Sequence, residues 1–137
     1  MIKQKVLFLC TGNSSRTQMA EGFLRKMAGG EFDVVNAGGS PEELSPVAIE
    51  AMREIGIDIS QHETKDVAKY LGERFTYLIQ LCDRQKEPAC PIFPGAIYRL
   101  HWDLEDPQHS DLGLYAATRR VRDEIRRHVE NFVQNGG

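Results

Sequence analysis

Apolar positions alternate between two periods along this chain, and the changes of period divide it into strands and helices. Val6-Leu7-Phe8-Leu9 is a continuous apolar run, and it predicts a strand over 5–9 that is covered on both faces. Ala20, Phe23, Leu24 and Met27 then recur at helical spacing, predicting a helix over 17–28 that Gly29-Gly30 stops. A second strand is expected over 32–36 and a loop over 37–41. Ser45-Pro46 has the form of a helix cap, and Ala48, Ala51, Met52 and Ile55 share one face of the helix that follows, with Gly56 at its end. Residues 66–71 predict a short helix, and 77–82 a third strand that ends, like the first, in a cysteine. Pro88, Pro91, Pro94 and Gly95 make 83–95 irregular; a fourth strand follows over 96–100 and a loop over 101–110. Leu114, Val121, Ile125, Val129 and Phe132 mark the core side of a long helix from 111 to about 133.

Strands alternating with helices imply an α/β fold: one domain over 1–137, a doubly wound sheet of four parallel strands with helices on both faces. Ligands of such sheets gather beyond the carboxyl ends of the strands. Cys10, Cys82 and the loop after Leu100 all leave that edge, so they are expected to converge.

Composition narrows the function classes. A length of 137 residues, 41% hydrophobic and 27% charged, is ordinary for a soluble domain. A net charge of −3 offers no attraction to nucleic acid or to an anionic membrane. No run approaches a membrane span, and the N-terminus lacks a signal-peptide core, so a cytoplasmic monomer is expected. In that compartment three cysteines argue for catalysis, redox exchange or metal rather than a structural framework.

The chemistry concentrates in Cys10-Thr11-Gly12-Asn13-Ser14-Ser15-Arg16-Thr17. A thiol closes a strand, small residues allow successive N–H groups to turn inward, and an arginine opens a helix. That arrangement aims amides, a guanidinium and a thiolate at one tetrahedral oxyanion. Arg16 has two donors to clamp the anion, which a lysine lacks, and Thr17 can offer its hydroxyl to the sulfur. A lone cysteine at a strand end is more often a small buried hydrophobe; the five residues and arginine that follow it reverse those odds.

This segment resembles the low-molecular-weight protein tyrosine phosphatases, with their signature of Cys, five residues, Arg, then Ser or Thr. Within that superfamily the chain looks most like the thioredoxin-coupled arsenate reductases. The similarity runs through Asn36-Ala37-Gly38, Ile57-Asp58-Ile59-Ser60, Leu81-Cys82-Asp83, Cys90-Pro91, His101-Trp102 and Asp106-Pro107. It implies reduction of arsenate to arsenite: Cys10 attacks, Thr11, Gly12, Asn13, Ser14, Ser15, Arg16 and Thr17 hold the substrate, and Asp106 protonates the leaving oxygen. Cys82 and Cys90 then carry a disulfide to thioredoxin. Electrons come from thiols, so no bound cofactor is expected, with external thioredoxin as donor. Phosphate and sulfate share arsenate's shape and charge, and so suit the same loop.

Departures from the family matter too. Many members carry a further cysteine where this chain has Ser15, and their second relay pair is spaced one residue closer than Cys82 and Cys90. Some members bind potassium near the loop. Asn13, Glu21 and Asn36 could supply oxygens, but Lys65 stands where those members have an aspartate, so weak or absent potassium dependence is expected.

Rival readings remain at this stage. A phosphatase of the same fold would use Cys10, Arg16 and Asp106 without the other thiols, although Gln108-His109-Ser110 follows Asp106-Pro107 where phosphatases usually have aromatic residues. A thiol protein that binds arsenite or a metal without turnover is the second rival, and Cys82 and Cys90 lack the close spacing of zinc sites. Asp103 and Glu105 compete with Asp106 as candidate acids, Trp102 reads as packing, and the arginines of the last helix read as a solvated face.

Overall fold

The computed structural model describes residues 2–87, 91–109 and 112–136, with no account of the His109 side chain. Four parallel strands, β1 (Gln4–Cys10), β2 (Phe32–Gly38), β3 (Phe75–Gln80) and β4 (Ala96–His101), lie in the spatial order β2-β1-β3-β4. Three α-helices, α1 (Arg16–Ala28), α2 (Pro46–Arg53) and α3 (Leu114–Asn135), and 3-10 turns at Val67–Tyr70 and Pro107–His109 connect them.

The pleat of β1 divides the core. Val6 and Phe8 join residues of all three α-helices, among them Phe23, Met52 and Val121, in one cluster. Leu7 and Leu9 join Tyr70, Phe75, Leu78 and Phe93 in a second. Helical cover therefore exists on both faces but is unequal. The heavier side has α1 and α3 against the sheet, and the lighter side a 3-10 turn and the Phe93 loop. The continuous apolar run of β1 reflects this double burial.

Several expected boundaries shift. β3 begins at Phe75 and ends at Gln80, so Cys82 lies two residues beyond the strand rather than at its end. Leu81 still continues the ladder by donating its N–H to Leu9 O at 2.9 Å. The last helix starts at Leu114, because Gly113 before it has φ 89°. Leu114 itself is 42% exposed and is not a core residue. Arg122 departs from the solvated face expected of the α3 arginines. It is buried, and its Nη1 donates to Ala51 O and to Glu54, tying α3 to the end of α2. Trp102 is packing, as expected: it is buried against Phe8 and stacks on His128 with ring centroids 4.9 Å apart. No helix among the described residues is long and apolar enough to cross a membrane.

The chain crosses from one side of the sheet to the other between β1 and β3, and that switch point opens at their carboxyl ends. Cys10 ends β1 there, and Cys82 follows β3.

Candidate active site

The loop after β1 is shaped by what its carbonyls do. Cys10 O, Thr11 O, Gly12 O and Ser14 O accept from the N–H groups of Gly39, Ser40, Glu42 and Ser45, at 2.9 to 3.2 Å. In a trans peptide the following N–H points opposite to the carbonyl, and no peptide here is cis. The N–H groups of residues 11, 12, 13 and 15 are therefore turned away from the 39–45 strap and inward. Asn13 N–H shows the result directly: it donates to Cys10 Sγ at 3.1 Å. Gly38 permits the close fit, since a Cβ there would lie 2.8 Å from Thr11 O.

Asn13 is the keystone of the loop. Its φ is 57°, a left-handed conformation that asparagine tolerates better than most residues. Its side chain is fully buried and bonded throughout: Nδ2 donates to Thr17 Oγ1 and Asn36 Oδ1, both at 2.7 Å, and Oδ1 accepts from Lys65 N at 2.7 Å. Because Thr17 Oγ1 already accepts from Asn13, its hydroxyl hydrogen is available to Cys10 Sγ, 3.5 Å away. The sulfur thus has the Asn13 N–H and the Thr17 hydroxyl within hydrogen-bonding reach, just ahead of the N-terminus of α1.

Beneath the loop lies a polar layer that sequence reading did not identify as a network. Gln18 Nε2 donates to Asn13 O, Asn36 Oδ1 and Glu63 O, while Asn36 Nδ2 donates to Glu21. His62 Nδ1 is 3.1 Å from Gln18 Oε1, and burial pushes the imidazole pKa down despite the nearby Glu21 charge. The signal was the polar run 13–18 itself, which is buried where a helix start is usually wet. Lys65 donates from Nζ to Glu63 O at 2.6 Å and to Asn36 Oδ1 at 3.4 Å. Burial lowers the Lys65 pKa, Glu21 opposes that, and the ammonium supplies positive charge beside Asn36. That charge stands against a further cation at the same oxygens. Among the described residues no cluster of three or more His, Cys, Asp or Glu is arranged for a metal.

Arg16 begins α1 with its side chain 3% exposed. Its expected role was to clamp an anion through two N–H donors. In the structure Nη1 donates to Leu81 O and Leu104 O at 3.1 Å and to Glu87 Oε2, while Nη2 donates to Glu87 Oε1 at 2.7 Å. Burial works against the charge of Arg16, but the Glu87 bond and the nearby Cys10, Glu87 and Asp106 charges outweigh it and raise its pKa. Burial likewise opposes ionisation of Glu87, yet the bond from Arg16 and that from the Asp83 N–H hold its pKa below the usual carboxylate range. Glu87 was missed from sequence because nothing periodic marks it within an irregular loop.

The cavity above the loop, about 540 Å³, is lined by Thr11, Gly12, Ser40, Glu42, Lys86, Glu87 and Asp106. Of the three candidate acids, Asp106 alone is on this lining. Its Oδ1 accepts from Gln108 N and its Oδ2 is 3.8 Å from Arg16 Nη2. Asp103 instead accepts from Arg84 N, and Glu105 pairs with Arg120. Gln108 reaches back to Ser14 Oγ at 3.4 Å, in the place where an aromatic grip was absent from the sequence.

Cys82 Sγ lies 3.9 Å from Thr11 Oγ1, in the residue next to Cys10. Cys82 is disulfide-bonded, and Cys10 is free. Cys90, the third cysteine of the predicted relay, lies outside the described residues. The structure thus brings together Cys10, the 11–17 loop, Asp106 and Cys82.

Residues 5–135 match the family of low molecular weight phosphotyrosine protein phosphatases. An arsenate reductase of Halalkalibacterium halodurans is 40% identical over 139 residues, covering 99% of each chain. One from Staphylococcus xylosus is 39% identical, covering 96% of this chain and 98% of its own. Among solved structures, an arsenate reductase in the phosphate binding state superposes with TM-score 0.81 at 32% identity, over 96% of this chain and 97% of the other. A thioredoxin-dependent arsenate reductase of Corynebacterium glutamicum gives 0.66 at 26% identity, over 96% of this chain and 63% of its own.

Proposed function

This chain belongs to the low molecular weight phosphotyrosine protein phosphatase family, and from that membership we propose that it reduces arsenate to arsenite through three cysteines in turn. Arsenate enters the cavity and takes the inward N–H groups of the loop. Cys10 thiolate attacks arsenic, and Asp106 gives a proton to the oxygen that leaves as water. Cys82 thiolate then attacks Cys10 Sγ; the sulfur–arsenic bond breaks, its electron pair stays on arsenic, and arsenite departs. Cys90 attacks Cys82 Sγ, which frees Cys10 thiolate. A dithiol partner of the thioredoxin type reduces the Cys82–Cys90 disulfide by two electrons and two protons.

The observation that supports this reading over a phosphatase is the position of Cys82, disulfide-bonded and 3.9 Å from the Thr11 hydroxyl beside the nucleophile loop. Hydrolysis of a phosphomonoester has no use for a thiol there. Similarity to arsenate reductases over almost the whole chain points the same way.

The test is arsenate-dependent NADPH consumption with thioredoxin and its reductase, comparing wild type with Cys82→Ser and Cys90→Ser. The relay requires both variants to lose multiple turnover while a slow aryl phosphatase rate through Cys10 survives. Unimpaired arsenate turnover in both variants would refute it.

A further inference from the structure

An acid that protonates a departing oxygen must be held over the anion loop, and the two segments here are far apart in the chain. The main chain around Asp106 is fixed from the core side. Leu104 is buried, and its carbonyl accepts from Arg16 Nη1 at 3.1 Å. Glu105 pairs with Arg120 of α3, and the 3-10 turn Pro107–His109 packs against the same helix. These contacts settle where the Asp106 backbone lies. None of them aims its carboxyl.

Gln108 does so with two groups. Its N–H donates to Asp106 Oδ1 at 3.1 Å, an Asx turn that fixes the rotation of the carboxyl. Oδ2 is then the oxygen on the Arg16 side, 3.8 Å from Nη2. The side-chain amide of Gln108 reaches the other way: Nε2 donates to Ser14 Oγ at 3.4 Å, joining residues 94 positions apart. Ser14 is a firm anchor, because it is buried and its carbonyl accepts from Ser45 N at 3.0 Å. The Gln108–Ser14 bond is long, and bonds around a catalytic group often tighten only with substrate in place.

We propose that Gln108 is a positioning residue for the acid: it grips the Asp106 carboxyl with its N–H and the anion loop with its side chain, and so sets the line along which the proton is delivered. This inference rests on the role given to Asp106 in the function proposed above. In the step it serves, Cys10 Sγ bonds to arsenic and the bond to the departing oxygen breaks with its electron pair on that oxygen. The Asp106 proton follows, and the oxygen leaves as water. Misplacing the acid slows this transfer without loosening the anion, which is held by the loop N–H groups.

The test is a single turnover. Wild type, Gln108→Ala, Asp106→Asn and the double variant are reduced with a dithiol, freed of it and mixed with saturating arsenate, and arsenite is followed in time. Gln108→Ala is expected to slow arsenite formation about fivefold, the size of one neutral hydrogen bond. Inhibition by inorganic phosphate should stay within about twofold of wild type. Asp106→Asn is expected to slow the step about a hundredfold. Gln108→Ala should add nothing in that background, because it acts through the carboxyl. A wild-type rate in Gln108→Ala beside a slow Asp106→Asn overturns the proposal and leaves the acid standing. An equal loss in both backgrounds, or a matching loss of phosphate affinity, also overturns it, since a merely structural role would produce either. A wild-type rate in Asp106→Asn overturns the acid and the proposal together. If wild type forms no arsenite, the reductase reading falls, and the same four proteins are compared on phenyl phosphate, whose departing phenolate oxygen needs the same proton.

Discussion

Thr17 Oγ1 lies 3.5 Å from Cys10 Sγ and accepts the Asn13 amide at 2.7 Å, which leaves the hydroxyl hydrogen free to bond the sulfur. Two residues seven positions apart meet because β1 ends where α1 begins, with the loop turned back between them. Thr17→Val keeps the shape and removes the hydrogen bond, which for a charged acceptor contributes about 1.5 kcal/mol. Alkylation of Cys10 by iodoacetamide at neutral pH should then slow by about tenfold. An unchanged rate would show that the hydroxyl does not serve the thiolate.

Gly38 tests the packing of the loop against β2. A Cβ at this position meets Thr11 O and the Asn13 side chain at 2.8 Å and Asn13 N at 3.0 Å, so the loop backbone itself must move. Gly38→Ala should cost about 2 kcal/mol in urea unfolding. Phosphate binding should fall with it. Gly12→Ala provides the contrast: its nearest obstacle is the tip of the flexible Glu42 side chain, at 2.5 Å. Its unfolding midpoint should stay near that of wild type.

Glu54 joins α2 to α3 by accepting from Arg119 and Arg122, and those two bonds lower its pKa from 4.5 to about 2. A carboxylate with a depressed folded-state pKa stabilises the protein above its unfolded value, and that contribution is lost as pH falls through the folded one. The Tm of Glu54→Gln should therefore lie below that of wild type at neutral pH. The gap should close as pH drops from 4.5 toward 2, and it should also narrow in high salt because the pair is exposed. A gap of constant size over that range would assign the stabilisation to something other than charge.

Lys65 places an ammonium beside Asn36 Oδ1 and Glu63 O, against the oxygens available to a monovalent cation. Turnover should therefore be the same in potassium and sodium chloride at matched ionic strength. Activation by potassium alone would show that the ammonium leaves the site.

Much of the site could be read from local pattern. The thiol, five residues and arginine, the strand before and the helix after are consecutive in the chain, so their order and chemistry are local, while the 39–45 strap that turns the loop carbonyls outward is not. Asp106 was distinguishable from Asp103 and Glu105 only by resemblance; the fold separates them physically, by placing Asp106 on the cavity lining and the other two against Arg84 and Arg120. Glu87 gave no sequence signal, and the Gln18–Asn36–His62 layer gave only the polar run 13–18, whose burial the sequence does not show. Polar residues in loops and at helix starts are normally solvated, and burial that changes their meaning comes from segments far along the chain.

The chain's own order of residues determined the α/β alternation, the doubly buried first strand and the chemistry of the nucleophile loop, because those depend on side-chain period and near-neighbour spacing. Tertiary structure decided which acid faces the cavity, that the Lys65 ammonium lies against Asn36 Oδ1 and Glu63 O, and that Arg16 is held by Glu87, 71 residues away. Such pairings arise from parallel strands delivering distant loops to one edge of a sheet, and no local pattern encodes which of the delivered charges will meet.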